Sequence, residues 1–310
     1  MYYFIINPHS KTGRAKELWN ILKQFLDEHQ IQYEAYFTKE VGHATKIAER
    51  LCTTIAGTKQ IVIVGGDGTA NEVINGLSNY NEVLLGYIPL GSSNDLARGL
   101  KLPKDPKEAL ELIIHPKFYR FVDHGQLTFN KTKETRRFAV SSGIGFDAAV
   151  CENILTSPLK KVLNKIKLGK LTYILVAVKQ ILTYPHVEAE IIVDSFEHIH
   201  VKKLVFIASQ IHKYEGGGLL MAPDAKDDDQ QLSVCMVSNI SRFKILFMMP
   251  TIFFGKHTKI KGIRMITCKT LQVKTKHPVV AHTDGEIAGY HDDFTITCYS
   301  DQVRMPVGQL

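Results

Sequence analysis

The β-branched apolar run Ile61-Val62-Ile63-Val64 leads directly into Gly65-Gly66-Asp67-Gly68-Thr69-Ala70-Asn71. No other stretch restricts the fold as much. Four apolar residues without polar alternation read as a strand covered on both faces, as in a parallel sheet flanked by helices. The glycines permit a sharp turn and a close approach of backbone to ligand, because no Cβ intervenes. The next stretch, Asn71-Glu72-Val73-Ile74-Asn75-Gly76-Leu77, opens a helix whose first N–H groups are aimed at an anion. Asp67 would repel phosphates unless a divalent cation lay between them, so the loop points to metal-bound phosphate. It lacks the Lys-Ser/Thr ending of a P-loop and the Gly-x-Gly-x-x-Gly of dinucleotide folds. A single Asp-Gly is most often an ordinary turn; glycines on both sides of Asp67 weigh against that reading here.

The rest of the first third alternates strand and helix. Tyr3–Ile6 and Leu84–Ile88 are further apolar strands, and Leu18, Ile21, Leu22, Phe25 and Leu26, then Ala44, Ile47, Ala48 and Leu51, recur at helical spacing. Ligands bind such sheets beyond the carboxyl ends of the strands. Three of those ends carry small polar residues: Asn7-Pro8-His9-Ser10-Lys11-Thr12-Gly13-Arg14, the glycine loop, and Pro89-Leu90-Gly91-Ser92-Ser93-Asn94-Asp95-Leu96-Ala97-Arg98. In the last, Ser92 or Ser93 is placed to cap the following helix, and Asn94 and Asp95 fit first-turn capping as well as ligation. Past about residue 120 short β-rich runs predominate, at Phe138–Val140, Val187–Val193, Lys203–Ala208, Leu232–Val237, Leu271–Lys276, Val279–Thr283 and Phe294–Tyr299. They read as a sandwich or barrel, interrupted by helices near 158–182 and 241–254. The expected fold class is therefore α/β with two domains. An N-terminal Rossmann-like parallel domain spans 1–120, a C-terminal β-sandwich spans 121–299, and a tail at about 300–310 packs back on the first.

Composition narrows the partners. With 310 residues and 45% hydrophobic content the chain has enough apolar material for two cores. A formal charge of +7 fits anionic partners without choosing among nucleotide, lipid surface and nucleic acid. No stacking motif accompanies the charge, so nucleic acid is not expected. Cys52, Cys151, Cys235, Cys268 and Cys298 form no CxxC pair, which speaks against zinc or a disulfide framework and for reduced thiols in a cytoplasmic protein. The N-terminal segment reads as a first strand, not a signal peptide. The longest apolar run, Ile245 to Phe254, is broken by Pro250 and too short to span a bilayer, so membrane contact is expected to be peripheral. Leu159-Lys160-Lys161-Val162-Leu163-Asn164-Lys165-Ile166-Lys167 is a basic amphipathic stretch that reads first as a packed helix with a solvated lysine face and also suits an anionic surface.

Gly65–Asn71, the Pro89–Arg98 loop and a late Asp284-Gly285-Glu286 together resemble the bacterial diacylglycerol kinase-like lipid kinases. Asn7-Pro8, Gly143-Ile144-Gly145-Phe146-Asp147, Ala222-Pro223-Asp224-Ala225 and Gly255-Lys256-His257 fall in the matching order. The resemblance implies an ATP- and Mg²⁺-dependent kinase for diacylglycerol or a related lipid at a membrane surface, with a homodimer compatible. It places Asn7, Pro8, His9, Ser10, Lys11, Thr38, Gly65, Gly66, Asp67, Gly68, Thr69, Ala70, Asn71 and Ser92 at nucleotide contacts. It links Asp67 to the catalytic Mg²⁺, and sets Asn94, Asp95 and Arg98 facing the cleft. Arg14, with Lys11 and Arg98, is a candidate for stabilising phosphate charge. The proton acceptor falls in Asp284-Gly285-Glu286, with Glu286 favoured and Asp284 open. A second, structural Mg²⁺ site would use the carboxylate of Asp229 and the carbonyls of Lys226 and Gln231. Lys11 and Gln230 stand where the family has glycines. The rival readings are an NAD kinase or phosphofructokinase-like enzyme, which shares Gly-Gly-Asp-Gly, and a non-catalytic lipid-binding protein on the same scaffold.

Overall fold

The computed structural model describes residues 1–13, 15–156, 169–299 and 302–309. Arg14 and the basic stretch 159–167 lie outside the described residues, and the side chain of Lys11 is likewise not described.

Strands β1 (Tyr2–Ile6), β2 (Tyr33–Phe37), β3 (Lys59–Gly65) and β4 (Val83–Pro89) pair in parallel in the order β2-β1-β3-β4. Alternate residues of the central strands feed two cores. Ile5, Ile61 and Ile63 pack with α2 (His43–Thr54) and α3 (Asp67–Gly76). Phe4, Ile6, Val62 and Val64 pack with α1 (Ala15–Glu28) and α5 (Pro106–Ile114). The α2 stripe is the one expected from spacing. The α1 stripe is rotated: Ala15, Trp19, Leu22, Phe25 and Leu26 are buried, whereas Ile21 is 55% exposed. Trp19 contributes the largest apolar surface to this helix and draws it inward. Strand β5 (Phe118–Val122) and the last strand, β15 (Val303–Val307), extend the same sheet, with β15 between β4 and β5.

The intervening chain forms a nine-stranded sheet system. Its path is β12 (Ile263–Cys268), β11 (Leu232–Ser238), β10 (Glu197–Gln210), β8 (Ser141–Gly145), β13 (Thr270–Thr283), β14 (Glu286–Cys298), β6 (Gly125–Phe129) and β7 (Thr135–Phe138), with β9 (Val187–Val193) against β10 and β13. The runs expected at 271–276 and 279–283 are one long strand, bent by a register shift between Lys274 and Val279. Helices α6 (Phe146–Thr156), α7 (Gly169–Thr183) and α8 (Arg242–Ile252) cover this part. Both α6 and α8 contribute to an apolar cluster that includes Val205, Phe206, Cys235 and Val237. Among the described residues no helix is long and apolar enough to cross a membrane.

Candidate active site

The three polar strand ends meet. Asn7 Nδ2 donates to Thr69 Oγ1 at 3.1 Å, and Leu90 N to Gly65 O at 2.6 Å. Thr38 is brought beside the end of β1 by its N–H bond to Ile6 O at 2.9 Å. The closeness explains the glycines. A Cβ on Gly65 would stand 2.6 Å from Thr69 Oγ1, and one on Gly66 3.0 Å from the Cα of Gly91. Gly13 takes a left-handed φ of +88° in the turn Ser10–Gly13, two residues beyond Lys11.

Asp67 opens α3 yet serves another helix. Its carboxylate accepts from the amides of Asp95 (3.1 Å) and Leu96 (3.4 Å) and from the Tyr87 hydroxyl (3.4 Å). It thereby caps the short helix α4 (Asp95–Gly99) from the neighbouring strand end. The serine cap expected there is not found. The N-cap position is Asn94, left-handed at φ +51°, and its amide closes on Gly91 N and O at 2.8 and 2.9 Å. Ser92 is exposed at the loop tip. Burial, then the charges of Asp95 and Asp284, push Asp67 up to about 6 against the pull of its amide donors. Asp95 is buried and accepts from Gly217 N at 2.7 Å and Arg98 Nε at 3.4 Å. Gly217 belongs to Gly216-Gly217-Gly218, all at positive φ, with the Arg98 guanidinium over the Tyr214 ring at 5.7 Å.

The turn joining β13 to β14 separates its two carboxylates. Asp284, itself at φ +50°, accepts from the amides of Ala139 (2.7 Å), Val140 (2.8 Å) and Ser141 (2.9 Å) and from Asn71 Nδ2 (2.8 Å). Four donors satisfy both oxygens, so Asp284 ties the glycine-loop helix to the nine-stranded part and is not placed to accept a substrate proton. Glu286 is exposed, and its Oε1 lies 3.1 Å from where Gly68 would carry a Cβ. A side chain at 68 would press on that carboxylate, which would have to shift by a few tenths of an ångström.

Beneath the turn lies a cluster that the sequence reading missed. His282 Nδ1 accepts from Gly285 N at 3.2 Å, leaving Nε2 as the protonated nitrogen. Nε2 faces Asp147 Oδ2 at 2.9 Å and Glu215 Oε1 at 3.4 Å. Glu215 also accepts from Ser141 Oγ at 2.8 Å and from Gln210 Nε2. Burial and then Asp147 push Glu215 up to about 8. His282 is pulled down by burial and raised more strongly by Asp147 and Glu215, to about 9. The pair shares a proton, and the Gly285 amide at Nδ1 sets it on Glu215. Among the described residues this is the one group bringing three ligand-type side chains within 4.8 Å. The sequence sign available was Gly216–Gly218, three consecutive glycines directly after Glu215.

At the loop expected to hold a structural cation, Asp229 Oδ1 accepts from Gln231 N at 3.1 Å, and Lys226 is exposed. Gln230 adopts φ +57°, the conformation that the missing glycine would take without strain. Asp123 accepts from Gln230 N (2.6 Å) and Gln302 Nε2 (2.7 Å), and burial, then Asp229 and Asp228, raise its pKa. Asp227 is engaged by Arg120 at 3.2 Å and His212 at 3.4 Å.

Residues 1–126 match the model of the diacylglycerol kinase catalytic domain, and residues 140–300 that of the YegS C-terminal NAD kinase beta sandwich-like domain. The chain belongs to the diacylglycerol kinase-like lipid kinases. YtlR of Bacillus subtilis (strain 168), which carries a lipid-kinase name, is 29% identical to this kinase over 292 residues, 93% of this chain and 94% of that protein. The diacylglycerol kinase of Staphylococcus saprophyticus is 28% identical over 286 residues, covering 92% of the kinase and 88% of its relative. Among solved structures, a diacylglycerol kinase from Bacillus anthracis str. Sterne superposes with a TM-score of 0.76 at 24% identity, over 99% of this chain and 96% of that one. An NAD kinase from Archaeoglobus fulgidus, in complex with ATP, shares the fold at a TM-score of 0.52 and 13% identity.

Proposed function

We propose that the kinase transfers the terminal phosphoryl group of ATP to the free hydroxyl of diacylglycerol, giving phosphatidic acid, or to a closely related lipid alcohol. The observation that carries this reading is the position of Glu286 against Gly68, which sets a carboxylate over the glycine loop from the opposite side of the cleft. Phosphoryl transfer needs in-line positioning, compensation of phosphate charge and a group to take the hydroxyl proton. Gly65 to Asn71, Asn7, Thr38 and the Gly91–Ser92 backbone line the place for the nucleotide phosphates, and the first turn of α3 offers N–H groups to them. Glu286 takes the proton from the lipid hydroxyl. Asp67 would hold Mg²⁺, with water between. Asp95 and Asp284 crowd Asp67 with like charge, an excess that a divalent cation offsets. When bound, the metal supplies compensation of charge on the phosphate oxygens. Arg98 steadies the rim through Asp95 and the Gly216–Gly218 loop. Peripheral association with the membrane gives access to the acceptor.

The test is labelled ATP against a panel of diacylglycerol, phosphatidylglycerol, ceramide and an isoprenoid alcohol in mixed micelles, with NAD and fructose 6-phosphate alongside. Label appearing in phosphatidic acid is expected. Label transferred to NAD or the sugar phosphate alone would overturn the lipid reading.

A further inference from the structure

Helix α8 is apolar on two opposite sides. Ile245, Met248 and Ile252 are buried in the apolar cluster beneath it. Phe243 and Phe247 point the other way, 70% and 79% exposed, and Phe253 and Phe254 just beyond the helix are 60% and 72% exposed. Positions 243, 247 and 250 follow the four-three spacing of one helical stripe, so Phe243, Phe247 and Pro250 share a face, and Phe253 and Phe254 follow in the turn after the helix. A helix apolar all round belongs inside a protein or against lipid, not half in water.

The charge around this face is one-sided. From Arg242 to Lys261 the chain has no Asp or Glu and five Lys or Arg. Lys244, Lys256, Lys259 and Lys261 are exposed beside the phenylalanines, and Lys244 Nζ reaches the Lys261 carbonyl at 3.0 Å, bringing both ends of the segment together. A two-fold contact with a second copy sets the same patch against itself, lysine facing lysine. An anionic lipid surface supplies the opposite charge and an apolar interior. The segment is braced to the cleft wall: His257 bonds the Met221 carbonyl at 3.0 Å, a few residues beyond the Gly217 that holds Asp95.

We infer that Phe243, Phe247, Phe253 and Phe254 insert into the surface of an anionic bilayer, with Lys244, Lys256, Lys259 and Lys261 among its headgroups. The helix lies in the interface plane, since it is too short to span. The inference deepens the lipid-kinase reading and rests on it for the purpose of docking, but not for the surface.

The test is co-sedimentation with vesicles of equimolar phosphatidylglycerol and phosphatidylcholine, and with phosphatidylcholine alone. The unaltered protein is compared with the double variants Phe247→Ser/Phe254→Ser and Lys256→Gln/Lys259→Gln. Binding to the anionic vesicles is expected to fall about tenfold or more in each variant, with melting temperature and phosphorylation of dispersed dioctanoylglycerol unchanged. Wild-type failure to bind anionic vesicles, or equal binding by the phenylalanine variant, overturns the proposal. So does a phenylalanine-dependent dimer in sedimentation velocity without vesicle binding. If dioctanoylglycerol is not phosphorylated while vesicle binding still depends on the phenylalanines, the lipid-kinase reading fails and the docking surface stands.

Discussion

Asn71 Nδ2 donates to Asp284 Oδ2 at 2.8 Å, across 213 positions of sequence. The bond joins the helix that opens on the glycine loop to the turn that carries Glu286. Asn71 is buried and also donates to the Arg137 carbonyl at 2.9 Å. Asn71→Ala removes one of four donors to a charged acceptor and should cost about 1.5–3 kcal/mol. Asn71→Asp sets a second carboxylate against Asp284 and should cost more. Urea unfolding of the two variants checks the order, and equal losses would remove the electrostatic account.

Asp284 and Glu286 should fail differently. Glu286→Gln should lower kcat by roughly 10²–10⁴-fold, the usual contribution of a proton acceptor, with melting temperature unchanged. Asp284→Asn turns an amide towards three backbone donors and should cost about 1–3 kcal/mol of stability. Comparing kcat with thermal midpoint for both separates a chemical role from an anchoring one.

Because Asp67 is pushed up to about 6, its carboxylate loses its charge in mildly acidic solution. At limiting Mg²⁺ the acid limb of kcat/KM should fall near that value. Added Mg²⁺ favours the ionised form and should move the limb to lower pH. Asp67→Asn should lack the shift. A limb independent of Mg²⁺ in the wild type argues against the assigned role.

Glu215 and His282 are raised to about 8 and about 9, above their ordinary 4.5 and 6.5. The folded state therefore binds more protons than the unfolded chain in this range, and stability falls as pH rises. With the shared proton carried by Glu215 while Nδ1 of His282 accepts from Gly285 N, the decline runs from about pH 4.5 to 8. One proton bounds the slope at about 1.4 kcal/mol per pH unit. Glu215→Gln should flatten the curve of urea midpoint against pH.

Gln230 occupies a left-handed conformation at φ +57°. Gln230→Gly relieves a strain of about 1–2 kcal/mol but adds freedom to the unfolded chain. A net gain of about 0.5–1 kcal/mol is expected by calorimetry, enlarged by Mg²⁺ if the cation binds at Asp229.

What could be read in advance was local. The run Ile61–Val64 followed by three glycines specifies strand, turn and helix with no help from elsewhere in the chain. What could not be read depends on distant partners. No spacing rule connects Asp67 with the amides of Asp95 and Leu96, and local sequence points to a neighbouring serine as the cap of α4. Asp284 and Glu286 look alike in sequence, and only the amides of Ala139, Val140 and Ser141 distinguish them. His282 follows Val279-Val280-Ala281 and reads as a strand residue, because its carboxylate neighbours lie on other elements. Strand β15 reads in sequence only as a tail, since its pairing with β4 and β5 is non-local.

That last strand has a consequence for biosynthesis. β15 inserts between β4 and β5, so the nucleotide-side sheet stays open along that seam until residue 307 has left the ribosome. The first 126 residues, which alone match a catalytic domain, are then made early and finished last. A chain halted before residue 303 would carry every nucleotide-facing loop and still expose the bonding edge of β4.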